Sequence, residues 1–120
     1  MKLIIKQSSW SGWSKDYKPT EIEKEYEINT NEKYVVKTVT ISRLKDGKWV
    51  EGEEEILSFN ISEVNDNSIK INTYQEFSGN ENGINLRTYK KEFIITTEKP
   101  LKLITPTLDA GDIFIFTLIK

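Results

Sequence analysis

Apolar residues that recur at every second position constrain this chain more than any other feature. Ile22-Glu23-Lys24-Glu25-Tyr26-Glu27-Ile28, with Lys24 its one misfit, and Ile69-Lys70-Ile71-Asn72 show the period-two repeat of a half-buried strand. The composition agrees: sixteen isoleucines, five valines and eleven threonines stand against one alanine. Side chains branched at Cβ lose little by lying on a pleated surface and more in a helix. Read by this period, strands fall at about 2–7, 21–29, 33–45, 48–61, 68–77, 84–96, 101–104 and 113–119. The three prolines, Pro19, Pro100 and Pro106, sit between runs, where no ladder N–H is lost. A length of 120 residues suits a single domain, 1–120, with a core large enough to need no disulfide or metal. The expected fold is an all-β antiparallel sandwich of the Ig-like or Greek-key type with seven or eight strands. A small closed barrel is the alternative.

Two segments carry their own geometry. Residues 21–29 also fit a helix start, because Thr20-Glu21-Ile22-Glu23 has capping-box spacing. A strand is favoured, since Ile28 leaves the helical stripe, and it lines Glu21, Glu23, Glu25 and Glu27 on one face. Asp46-Gly47 between two strand patterns marks a two-residue hairpin turn. That turn pairs Lys45 with Lys48, Leu44 with Trp49, Val36 with Leu57 and Tyr34 with Phe59. Val39, Ile41 and Val50 then lie on the wrong face for a straight register. A bulge seated at Gly52 and Glu53-Glu54-Glu55 is expected to switch the faces.

Chemistry is narrowed by what the chain lacks. With no cysteine or histidine, cysteine- and histidine-based zinc sites and Ser-His-Asp or Cys-His nucleophile systems are excluded. A net charge of −2, two arginines and no basic run longer than Lys90-Lys91 argue against nucleic acid. No stretch matches a secretory signal or a spanning helix, so a soluble protein with no membrane partner is expected, cytoplasmic or already processed. There is no phosphate loop and no nucleophile elbow. The expectation is a non-enzyme without cofactor or metal.

Partner-binding candidates are therefore aromatic. Trp10, Trp13 and Tyr17 lie in a segment rich in Ser, Gly and Lys, of the kind that carries binding residues. The alternative is that the tryptophans cap an open end of the core. Trp10-Ser11-Gly12-Trp13-Ser14 resembles the Trp-Ser-x-Trp-Ser motif of class I cytokine receptors over five residues. There it precedes the last strand of a domain; here it lies near the start of the chain. Glu63-Val64-Asn65-Asp66-Asn67-Ser68 resembles a cadherin calcium linker, but a turn between strands needs the same Asn and Asp residues and is the favoured reading. Leu101-Lys102-Leu103 with Asp109-Ala110-Gly111-Asp112 resembles an immunoglobulin-type corner, which implies a sandwich and no particular function.

The final strand, 113–119, is apolar on both faces. Assigning Ile113, Ile115 and Ile119 to the core leaves Phe114, Phe116 and Leu118 facing outward, covered by a loop or second sheet, or by a partner. The functional expectation is a non-catalytic protein-binding module, such as an inhibitor, an immunity-type protein or an assembly subunit. Its surfaces are the Trp10/Trp13/Tyr17 loop and the Phe114/Phe116/Leu118 face, the latter also serving self-association. The alternatives are a small barrel holding an apolar ligand and a carbohydrate-binding module.

Overall fold

The computed structural model of the chain describes residues 1–11, 21–81, 84–105 and 110–120. The described strands are β1 (Lys2–Ser11), β2 (Glu21–Glu27), β3 (Lys33–Lys45), β4 (Lys48–Val64), β5 (Ser68–Glu81), β6 (Ile84–Thr96), β7 (Leu101–Ile104) and β8 (Ala110–Ile119). All neighbours are antiparallel and belong to one sheet, in the order β2-β1-β8-β7-β5-β4-β3, with β6 on the other side of β5. The all-β expectation holds, and so does the strand reading of residues 21–27. In place of two separate layers, one continuous sheet curls over itself into a half-barrel.

Aromatic residues hold the curl closed. Phe59 on β4 meets Phe116 on β8 edge-on at 5.5 Å, although those strands are not hydrogen-bonded neighbours. Tyr34 stacks on Phe59 at 5.1 Å, and Tyr26 of β2 meets Tyr34 edge-on at 5.8 Å. The Tyr34 hydroxyl donates to the Glu27 carbonyl at 2.6 Å, which ties the two end strands of the sheet together beside their connecting turn. Burial pushes the phenol pKa of both tyrosines up, so Tyr34 remains a donor. Phe77 and Phe114 meet edge-on at 6.1 Å deeper along the curl. These rings pack with Leu3, Ile5, Leu57, Ile71, Phe93 and Leu103 in one buried cluster.

Phe114, Phe116 and Leu118 are thus core residues, each at most 1% exposed, which corrects their assignment to an outer face. The reason lies in the neighbouring strands. Leu3 and Ile5 of β1 pair with Leu118 and Phe116, and Leu101 and Leu103 of β7 pair with Phe116 and Phe114. Ile115 lies instead between Lys6 and Lys102, on the convex face, and Ile119 is exposed. β8 is bonded to β1 along its length and to β7 from Ile113 to Phe116, and its aromatic face is interior, so that face presents no surface to a partner in the folded chain.

Where β5 changes partners it is sealed by a polar network. Its first half pairs with β4 and its second with β7, with a register shift between Asn72 and Phe77. Gln75 from this bend turns back to β4. Its Oε1 accepts the Ser58 backbone N–H at 2.8 Å, and its Nε2 donates to Ser58 Oγ at 3.0 Å. Ser58 is fully buried, so its N–H needs such an acceptor. Gln75→Ala should therefore cost about 1–3 kcal/mol in chemical denaturation. An unchanged midpoint would show that another group satisfies Ser58.

Candidate functional site

Beyond its curled body the sheet extends a two-stranded arm. From Thr38 outward β3 pairs only with β4, and β4 meets β5 only from Phe59 onward. The intervening ribbon, Thr38–Lys45 with Lys48–Glu55, has no strand on either edge among the described residues. The long axis of the molecule measures 53 Å against 36 and 25 Å for the others. The arm ends at Asp46-Gly47, whose φ values of 51° and 77° are those of the type I′ turn that matches the twist of the flanking strands. Lys45 pairs with Lys48, Leu44 with Trp49 and Tyr34 with Phe59, as the turn alone dictated.

The expected bulge sits elsewhere. Gly52, Glu53, Glu54 and Glu55 pair regularly with Ile41, Thr40, Val39 and Thr38. The irregularity lies at the root of the arm, where Val35 pairs with Ser58, Lys37 with Leu57 and Thr38 with Glu55. Val36 and Ile56 are each left over there, so one extra residue on each strand cancels and the register resumes. Val36 replaces its expected pairing with Leu57 by burial in the core. The root is also pinned across the curl: Lys37 Nζ lies 2.5 Å from Asp112 Oδ1 on β8, with side chains only 26% and 13% exposed. Beside it, Glu55 takes hydrogen bonds from Lys33 Nζ at 2.9 Å and Ser58 Oγ at 2.7 Å. The Lys33 contact, then that of Ser58, holds its carboxyl below the usual carboxylate range.

The arm has two chemically different faces. One carries Leu44 and Trp49 at the tip, 62% and 72% exposed, with Ser42/Glu51, Thr40/Glu53 and Thr38/Glu55 behind them. The other carries Lys45/Lys48, Arg43/Val50, Ile41/Gly52 and Val39/Glu54. An open depression of about 310 Å³ lies over Ile41, Arg43, Val50 and Gly52 on this second face. Trp49 is the most exposed large apolar residue among those described. A tryptophan left in water on a projecting turn is the kind of anchor that dominates protein interfaces.

The residues singled out from sequence fare differently. Trp13 and Tyr17 lie outside the described residues, as does the side chain of Trp10, whose backbone continues β1 opposite Gly111. Trp49 was read from sequence only as a cross-strand partner of Leu44. The signal that could have found it was present: an aromatic-aliphatic pair directly beside a turn, at the far end of strands too long for one domain to cover. The cadherin-like segment is a turn, with Asn65 N–H donating to the Ser68 carbonyl at 2.8 Å. Among the described residues no group of three or more acidic side chains is placed to hold a metal ion. No described helix is long and apolar enough to cross a membrane. Comparison with known proteins brings no match from family models, from curated proteins or from solved structures.

Proposed function

We propose that this protein is a non-catalytic binding module that holds another protein through the tip of its β3–β4 arm. The observation that carries this reading is the Leu44/Trp49 pair, most of its surface in water at the end of a ribbon that contributes little to the core. Ordinary folding gains nothing from placing the two residues there, whereas a partner pocket gains a large apolar anchor. Glu51 and Glu53 lie on the same face, so the matching pocket is apolar with cationic side chains at its rim. The absence of histidine and cysteine from the chain supports the non-catalytic part of the reading. An inhibitor, an immunity-type protein or an assembly subunit all fit a protruding hairpin of this kind.

The test compares crosslinked capture from native lysate by the unaltered chain and by the Leu44→Ser/Trp49→Ser variant. Both positions are exposed, so the thermal midpoint should stay where it is. Partner recovery should fall at least about tenfold, the loss expected for truncating a tryptophan hot spot. Equal recovery by both proteins would reject the arm tip as the binding element.

A further inference from the structure

The second face of the arm, turned away from Leu44 and Trp49, has a pattern of its own. Along β4 it reads Lys48, Val50, Gly52, Glu54, and along β3 it reads Lys45, Arg43, Ile41, Val39. The face carries Lys45, Lys48 and Arg43 at the tip, apolar residues in the middle and one carboxylate, Glu54, at the root. A copy laid in the same direction sets the three cations against their own kind, whereas a copy laid antiparallel sets Lys48 against Glu54.

Gly52 supplies an independent observation. Glycine in the interior of a strand is unfavourable, and it is retained where a bend, a positive φ or a close approach demands it. None of the first two applies: its φ is not positive, its pairing with Ile41 is regular, and a Cβ built on it meets nothing within 4 Å. Nothing within the described chain asks for a missing side chain at this point. The vacancy it leaves is the floor of the open depression between Ile41 and Val50.

We infer that this face is a self-association surface, on which a second copy of the chain packs with its arm antiparallel across a two-fold axis. Place the axis at the Ser42–Glu51 rung. Lys48 then faces Glu54 of the second copy, and Val50 drops into the notch above the second copy's Gly52, each contact occurring twice as two-fold symmetry requires. Arg43 and Lys45 lay their alkyl stems over Ile41 and Val39 of the other copy.

The dimensions allow it. From the axis to the turn is four residues and from the axis back to the arm root at Lys37 is five, about 14 Å against about 17 Å at strand rise. Each tip therefore stops just short of the other copy's body. Pairing along the arm edges is disfavoured by the same charges. An antiparallel β3–β3 contact centred on Ile41 sets Lys37 against Lys45, and a β4–β4 contact centred on Glu53 sets Glu51 against Glu55.

A strip of two strands and about 20–25 Å buries only roughly 800 Å² over both copies, so the dimer should come apart on dilution. This surface is independent of the outside-partner reading, which uses the opposite face.

Sedimentation equilibrium of the full chain across about 5–500 µM tests it, a range suited to an interface of that size. The unaltered protein should pass from monomer to dimer. Gly52→Thr should keep or raise the thermal midpoint, since threonine suits a strand and meets no neighbour, yet weaken the dimer at least about tenfold by filling the notch. Lys48→Glu and Glu54→Lys should each weaken it, and the two together should restore it, because the two-fold contact is then reversed on both sides. Leu44→Ser/Trp49→Ser should lose the outside partner and keep the dimer. The inference is overturned by a chain that stays monomeric throughout, by a dimer indifferent to Gly52→Thr, or by one abolished at Leu44 and Trp49.

Discussion

Phe116→Ala should lower the free energy of unfolding by about 3–5 kcal/mol, a large part of the total for a chain of this size. Its ring is fully buried and meets Phe59 across the curl, so truncation opens a void between two parts of the sheet that no backbone hydrogen bond joins. Neighbouring side chains relax only partly into such a space, which is why the loss exceeds the transfer energy of the ring itself. In thermal unfolding the midpoint should fall by about 10–20 °C. Ile115→Ala is the matching control, one residue along the same strand but on the convex face between Lys6 and Lys102. There the expected cost is about 1 kcal/mol. If the two substitutions prove equally mild, the face assigned to β8 is wrong.

Asp112→Ala should cost about 2–3 kcal/mol, reduced from the value for a fully buried pair because water still reaches part of Lys37. The carboxylate is the one partner shown for the Lys37 ammonium, and the pair joins β3 to β8 across the curl. Deleting it leaves a cation with a quarter of its side chain exposed and, among the described residues, no ion-pair partner shown. Lys37→Met keeps the alkyl packing and removes the charge, leaving the less exposed Asp112 uncompensated. A double-mutant cycle in urea should therefore return a coupling of at least about 1 kcal/mol between the two. Amide exchange adds a second readout. With Asp112 gone, Thr38–Ile41 at the arm root should exchange faster than Ile69–Ile71 in the core, because the pair anchors the root. Zero coupling and unchanged exchange would show the root to be held by its backbone alone.

Strand positions were legible because each depends on a short window. Period-two alternation and the turn residues around it are local properties, and they placed β2, β3, β6 and β7 close to their observed ends. The Asp46-Gly47 turn even set the pairing of Leu44 with Trp49 and of Tyr34 with Phe59, since a hairpin register follows from its turn. The paired irregularity at Val36 and Ile56 was not legible in the same way. It places Val36 in the core, a burial that depends on strands distant in the chain. The faces of β8 failed for a related reason. Ile113–Ile119 is apolar on both sides, so its own period contains no choice, and Leu3, Ile5, Leu101 and Leu103 on the adjoining strands make it.

The binding reading shifted in the same fashion. Exposure is a property of the assembled sheet, which buries Phe114 and Phe116 and leaves Trp49 in water. The arm itself exists because β3 and β4 outrun the strands available to cover them, which no single window records. The sequence alone therefore determined an all-β chain of antiparallel strands and its hairpin turn. Each of these rests on residues within a few positions of one another. Tertiary structure decided the curl of one sheet into a half-barrel, the inward face of β8 and the projection of the arm. Those follow from which distant side chains meet, and burial is settled only when they do.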